Sequence, residues 1–151
     1  NNDAAYLYQT HDEDFNLGQT SFECGRRNNA LKFWTMWKAI GTNGIAKIVE
    51  HEFSLADTAR KYVNSNSDYT LYSFKDSLSV CFNYKDFDPE DLCTKLYERN
   101  TLMVGFGHFH DKGFVRLVTI NGENTHEDLK HFFNVLEKFA NENADTIKKI
   151  F

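Results

Sequence analysis

The sequence predicts an α+β fold: two leading helices, then a mostly antiparallel β-β-α-β-β-α layer with its helices on one face of the sheet. Three observations predict it. Apolar residues recur at helical spacing from Ala30 to Ala59. From Tyr69 the period shortens, and β-rich runs alternate with turn residues as far as Ile120. From Leu129 a 3.6-residue stripe returns as Leu129, Phe132, Phe133, Leu136, Phe139 and Ala140.

Each element has its own local signal. Asn28 or Asn29 suits the N-cap of a helix reaching about Ile40. Ala30, Phe33, Trp37 and Ile40 share one face of it, and Leu31 and Trp34 a neighbouring one. A helix apolar nearly all round is expected to be buried, here between domains or subunits. Gly41 stands where a left-handed cap belongs. A second helix is expected from Gly44 to about Asn64, striped by Ile45, Ile48, Val49, Phe53, Ala56 and Ala59. Tyr69–Phe74 and Leu78–Tyr84 read as strands around Lys75-Asp76-Ser77. Asp88-Pro89 opens a helix to about Arg99, with Asp as N-cap and Pro in the first turn. Leu102–Phe109 and Phe114–Ile120 form a second strand pair turning at Asp111-Lys112-Gly113. Thr125 and Asp128 make a capping box with Asp replacing the usual Glu. Residues 141–151 either extend the last helix or fray.

Composition narrows the function classes. The 151 residues are 41% hydrophobic and 15% aromatic, enough for one well-filled core. A net charge of −5 with scattered basic residues argues against a nucleic-acid footprint. No apolar run approaches membrane-spanning length, and Asn1 opens no signal-peptide pattern. Cys24, Cys81 and Cys93 are odd in number and fit neither a zinc spacing nor a disulfide framework, so a reducing, cytoplasmic setting is expected. His108-Phe109-His110 puts two imidazoles at strand spacing, but no third ligand accompanies them and no metal site is expected. Cys24 reads as a small hydrophobe rather than a nucleophile, with no flanking His.

Several strings, in order, resemble one enzyme family. They are Ala5-Tyr6-Leu7-Tyr8, Cys24-Gly25-Arg26, the Trp34/Trp37 helix with Gly41-Thr42-x-Gly44, and Val80-Cys81-Phe82-x-Tyr84. Leu102-Met103-Val104, Phe114-Val115-Arg116-Leu117-Val118 and Thr125-His126-x-Asp128 follow. Each string alone is common; together, up to about residue 140, the chain resembles the C-terminal portion of the group II decarboxylases that use pyridoxal 5'-phosphate (PLP). Glutamate decarboxylase and cysteine sulfinate decarboxylase are members. The resemblance implies the C-terminal small domain of a PLP-dependent transferase (fold type I) enzyme. It divides the chain into a catalytic-loop and connecting segment (1–27), a helical segment (28–66) and a C-terminal α+β domain (67–151).

The resemblance also implies roles. Tyr6 matches the mobile-loop tyrosine that protonates Cα after carbon dioxide leaves. Arg116 matches the strand arginine that binds the substrate carboxylate, a task suited to a planar guanidinium offering two parallel N–H donors. Without the resemblance, Tyr6 is an ordinary loop aromatic and Arg116 a solvent-facing charge on an edge strand. Arg26 either meets a phosphate or plays a structural role, bonding carbonyls or the Asp12-Glu13-Asp14 run. The family's Asn-x-His-Lys motif, which holds PLP, is absent from this sequence. The expectation is therefore a C-terminal piece of a larger decarboxylase, inactive alone, with PLP bound mainly by an upstream portion. An acidic substrate (glutamate, aspartate or cysteine sulfinate) and a cytoplasmic homodimer are implied. An aromatic or diamino-acid substrate is the enzymatic alternative, and a non-catalytic α+β binding module is the alternative of another class.

Overall fold

The computed structural model describes residues 29–150. By their contacts the described residues fall into two compact units, divided between Ile45 and Ala46. Helix α1 is Asn29–Ser65, with one non-helical residue, Gly41, at φ 67° and ψ 176°. The two helices expected here are present, but they join through the single residue Gly41 rather than a short turn. The φ is positive, as expected for a glycine at this point. The ψ is extended rather than left-handed helical, a conformation open essentially to glycine alone.

Within the first unit the apolar side chains are exposed in this chain taken by itself. Leu31, Phe33, Trp34, Met36, Trp37 and Ile40 are all 41–57% accessible. They pack locally instead. Phe33 and Trp37 meet edge to face at 5.3 Å, and Lys38 lies over the Trp34 ring at 5.9 Å.

The second unit contains the rest of α1, strands β1 (Tyr69–Leu71) and β2 (Ser79–Tyr84), and helix α2 (Pro89–Glu98). Strands β3 (Gly105–Phe109) and β4 (Lys112–Val118) and helix α3 (His126–Glu142) complete it. The four strands form one antiparallel sheet in the order β1-β2-β4-β3. β-β-α-β-β-α is thus the observed order. Strands β1, β2 and β3 are shorter than their apolar runs, β4 keeps its length but starts two residues earlier, and the second hairpin turns one residue earlier than expected. Its turn is His110-Asp111, with His110 at φ 52°.

The strand period of two sorts the sheet into two faces. Val80, Phe82, Tyr84 and Val115 point to the helix-covered face and are buried. There they join Leu55, Ala59 and Val63 of α1, Leu92 and Leu96 of α2, and Leu129, Phe133, Leu136 and Ala140 of α3. Phe133 stacks on Tyr62 at 4.2 Å and meets Tyr69 edge to face at 5.8 Å. The Tyr62 and Tyr69 hydroxyls both donate to Glu137 Oε1, at 2.8 and 2.9 Å. Burial, and then the Glu137 carboxylate, push both phenols up, Tyr62 to about 12.

Helix starts follow the sequence. Asp88 Oδ1 accepts from Asp91 N at 2.8 Å, with Pro89 in the first turn. Thr125 and Asp128 form the capping box in both directions. Residues 143–150 neither extend α3 nor fray, which corrects that expectation. Ile147 is buried, Ile150 N donates to Asp86 O, and Lys149 pairs with Phe87 across a β-bridge. The segment is held because Asp91 accepts from Lys148 N, and Asp88 N donates to Lys148 O. Among the described residues no helix is long and apolar enough to cross a membrane.

Candidate functional site

Helices cover one face of the sheet; chemistry-bearing residues collect on the other. On β4, alternation sends Lys112, Phe114, Arg116 and Val118 away from the helices. Cross-strand register adds Cys81 beside Arg116 on β2, and Gly105 beside Arg116 on β3. Tyr72 follows β1, its N–H donating to Cys81 O at 2.8 Å. Its ring lies 6.4 Å from that of Phe114, with Lys112 Nζ 5.6 Å from the Tyr72 centroid.

Arg116 is exposed, but its strand is not an edge. That corrects the alternative reading of an edge charge: β4 lies between β2 and β3, so the guanidinium rises from the middle of the sheet. Among the described residues no carboxylate lies within ion-pair distance of it. Its surroundings are small on both sides. A Cβ placed on Gly105 would stand 4.0 Å from Arg116 Nε, and one on Gly107 only 2.9 Å from Phe114 Cε2. The two glycines let the Arg116 and Phe114 side chains lie across the outer strand.

The electrostatics of this face agree with the geometry. Burial pushes the Cys81 thiol up, and the Arg116 cation opposes that rise. Cys93, on the covered side, is pushed up to about 12 by burial, with the Asp88 charge adding to it. Asn83 lies two residues beyond Cys81 on the same face. It is buried, and its Oδ1 has no hydrogen-bond partner among the described residues.

The other expected site residues divide simply. Tyr6, Arg26 and Cys24 lie outside the described residues. His108 and His110 do not share a strand face, which corrects that expectation, because His110 belongs to the turn. His108 instead packs on the covered face, its Nε2 3.2 Å from where a Cβ on Gly113 would stand. Among the described residues no group of three or more His, Cys, Asp or Glu side chains is arranged to hold a metal ion.

Two polar arrangements went unforeseen. Arg60 is buried in α1, donating to Ser77 O at 2.6 Å and pairing with Asp57 at 2.8 Å. Only the i, i+3 spacing of Asp57 and Arg60 hinted at it. His126 reaches Thr58 Oγ1 at 3.1 Å, while His51 Nε2 meets Asn124 O at 2.8 Å, joining α1 to the start of α3. A shallow cleft of about 480 Å³ runs along α1 between Val49 and Lys61. Its lining is one face of one helix and includes no residue of the sheet.

Comparison with known proteins places these features in a family. The sequence model of the pyridoxal-dependent decarboxylase conserved domain matches residues 1–85. The chain is 26% identical to the acidic amino acid decarboxylase of Mus musculus, over 91% of this chain and 29% of that protein. It is also 26% identical to the cysteine sulfinic acid decarboxylase of Homo sapiens, over 91% of this chain and 32% of that protein. It therefore spans about a third of the length of the curated relatives it matches. The crystal structure of mouse CSAD superposes with a TM-score of 0.67 at 22% identity, covering 81% of this chain and 29% of that one. That of Oryza sativa TDC with PLP and tryptamine gives 0.67 at 15% identity, over 83% and 29%. The α+β fold of this chain is thus shared with solved decarboxylase structures. With more than half of its residues under that family's sequence model, the chain belongs to the pyridoxal-dependent decarboxylases.

Proposed function

We propose that this chain is the C-terminal part of a PLP-dependent L-amino-acid decarboxylase acting on an acidic amino acid such as glutamate, aspartate or cysteine sulfinate. The observation that carries the reading is Arg116, a cation on the open face of the sheet with no carboxylate partner among the described residues. Its guanidinium grips the substrate carboxylate through two parallel charge-assisted hydrogen bonds. The names of the curated relatives support the acidic substrate.

The described residues do not themselves fit PLP. Such a cofactor needs an enclosed lysine and a cradle of phosphate donors. None of the described lysines is buried; Lys61, on the rim of the α1 cleft, is exposed. The α1 cleft is a one-sided depression. In this reading the cofactor is held by a longer polypeptide of which the chain is part, and the chain alone is inactive.

The chain's own residues supply binding and proton handling. Arg116 binds and orients the carboxylate. Tyr6 delivers a proton to Cα once carbon dioxide has left, and Arg26 meets a phosphate or braces the segment around it. Residues 1–27 form the catalytic-loop segment, 28–66 the helical lead-in and 67–151 the C-terminal domain. The assembly is a cytoplasmic homodimer. The exposed apolar residues of 31–40 support the dimer, and the free thiols of Cys81 and Cys93 support a reducing setting.

The test is an amine-release assay on the complete PLP-loaded protein with glutamate, aspartate, cysteine sulfinate, tryptophan and 2,4-diaminobutyrate. The reading expects the acidic substrates to lead. Preference for tryptophan would transfer the reading to the aromatic class, which Phe114 and Tyr72 on the open face would suit. No amine from any substrate would overturn it. Tyr6→Phe is expected to keep carbon dioxide release while diverting product toward deamination or transamination; an unchanged product ratio would remove Tyr6 from that role.

A further inference from the structure

Arg116 owes its position to what stands on either side of it. An arginine has four rotatable bonds, and holding its fork in one place costs side-chain entropy. No carboxylate among the described residues holds it there. What the sheet supplies is space of a definite shape. On β2 its cross-strand neighbour is the small side chain of Cys81, and on β3 it is Gly105.

Gly105 is the informative neighbour. Its backbone does not need glycine, for it lies in a regular antiparallel pair and its φ is not in the positive region. A strand position normally favours a β-branched or aromatic residue, and glycine there weakens the sheet. The reason for glycine is therefore on the outward side. A Cβ would meet Arg116 O at 3.6 Å and Arg116 Nε at 4.0 Å, both ordinary contacts. A γ-branch would extend beyond that contact into the space of the guanidinium itself. Gly107, two residues on, does the same for the Phe114 ring at 2.9 Å. At Gly105 and Gly107 the outer strand is a bare floor on which a cation and an aromatic ring lie side by side, with Phe109 standing beyond them at its end.

We infer that Gly105 is a positioning residue for the carboxylate-binding arginine: its missing side chain is the trough that holds the Arg116 guanidinium across β3, with Cys81 closing the opposite side. This rests on the assignment of Arg116 as the carboxylate binder. It adds that the identity of residue 105 sets substrate affinity without touching substrate.

The test uses the complete PLP-loaded enzyme and two readouts: steady-state kinetics with glutamate, and calorimetric binding of glutarate, a dicarboxylate without the amine. Gly105→Val is expected to raise KM for glutamate and Kd for glutarate about ten- to hundredfold, because a misplaced binding group loses most of its worth. Its kcat is expected to change far less, and its melting temperature to hold or rise, since Val suits a strand better than Gly. Gly105→Ala is expected to give a small shift in the same direction. Should Gly105→Val fail to fold, Gly105→Ser carries the test on the same scale, between Ala and Val. Wild-type KM and glutarate affinity in a folded Gly105→Val or Gly105→Ser, while Arg116→Ala loses both, would overturn the positioning role alone. Glutarate binding unchanged in Arg116→Ala would overturn the assignment of Arg116 beneath it, and this inference with it.

Discussion

The two faces of one sheet are made by the same strands and obey different rules. On β4, Val115 is fully buried against the helices, while Arg116, one residue on, is exposed on the other face. The covered face spends large side chains on packing: Phe82, Phe133, Leu96 and Val80 are at or below 1% accessibility. The open face uses glycine at two positions of its outer strand and, among the described residues, gives an asparagine oxygen no partner and a cation no carboxylate. A surface shaped only for stability would fill those positions. The difference teaches that the strand period separates two tasks, and that substitutions one residue apart should have opposite signatures.

The largest separation is expected between Phe133 and Arg116. Phe133→Ala removes a fully buried ring stacked on Tyr62 and is expected to cost about 3–5 kcal/mol of stability, read as a loss in denaturant midpoint. Arg116→Ala should leave that midpoint within about 0.5 kcal/mol, as an exposed side chain without an ion pair among the described residues. A strongly destabilised Arg116→Ala would assign it to the structure instead.

Alkaline stability sharpens the comparison next. Tyr62 and Tyr69 are protonated in the folded protein well past the ordinary phenol range, Tyr62 from 10.0 to about 12. A group raised on folding contributes its full share below the unfolded value and loses it as pH climbs. Stability is therefore expected to fall as pH rises from 10.0 toward 12, and Tyr69→Phe to blunt that fall. Identical alkaline curves for the two proteins would contradict this.

The thiols give a smaller contrast. Cys81 is half-buried on the open face, whereas Cys93 is buried and its Sγ donates to Gly105 O at 3.6 Å. Cys81 is expected to alkylate first, and more slowly still in Arg116→Gln, which removes the cation that favours its thiolate. Cys93 should stay silent until the domain unfolds. The smallest expected effect is Thr125→Ala, about 1 kcal/mol from the lost cap of α3, visible only in a melting curve.

Much of the covered face was legible in the sequence. The α3 stripe from Leu129 to Ala140, the Asp88-Pro89 start and the capping box are local signals, and local signals survive folding. What was not legible depends on residues distant in sequence. The fold-back of Ile147 and Lys149 onto Phe87 depends on Asp88 and Asp91, some 57 residues earlier for the Asp91–Lys148 bond. His110 leaves the strand because the hairpin closes in two residues, which the Asp111-Lys112-Gly113 signal misplaced by one. Arg60 looks like a surface helix residue until its Ser77 carbonyl partner is seen. Arg116 was identified by motif, but its inner-strand position and its two small neighbours follow only from the strand order β1-β2-β4-β3. The apolar helix from Leu31 to Ile40 carries a legible pattern, and its side chains stand exposed in this chain taken by itself.

The central claim is that the open face is a carboxylate site built around Arg116. It is tested most directly by steady-state kinetics of Arg116→Ala in the complete PLP-loaded enzyme, beside its PLP absorbance and melting curve. Removing one partner of a charge-assisted carboxylate pair is expected to lower kcat/KM by about 2–5 kcal/mol in free-energy terms, with cofactor uptake and melting unchanged. Wild-type kcat/KM in that variant would contradict the account.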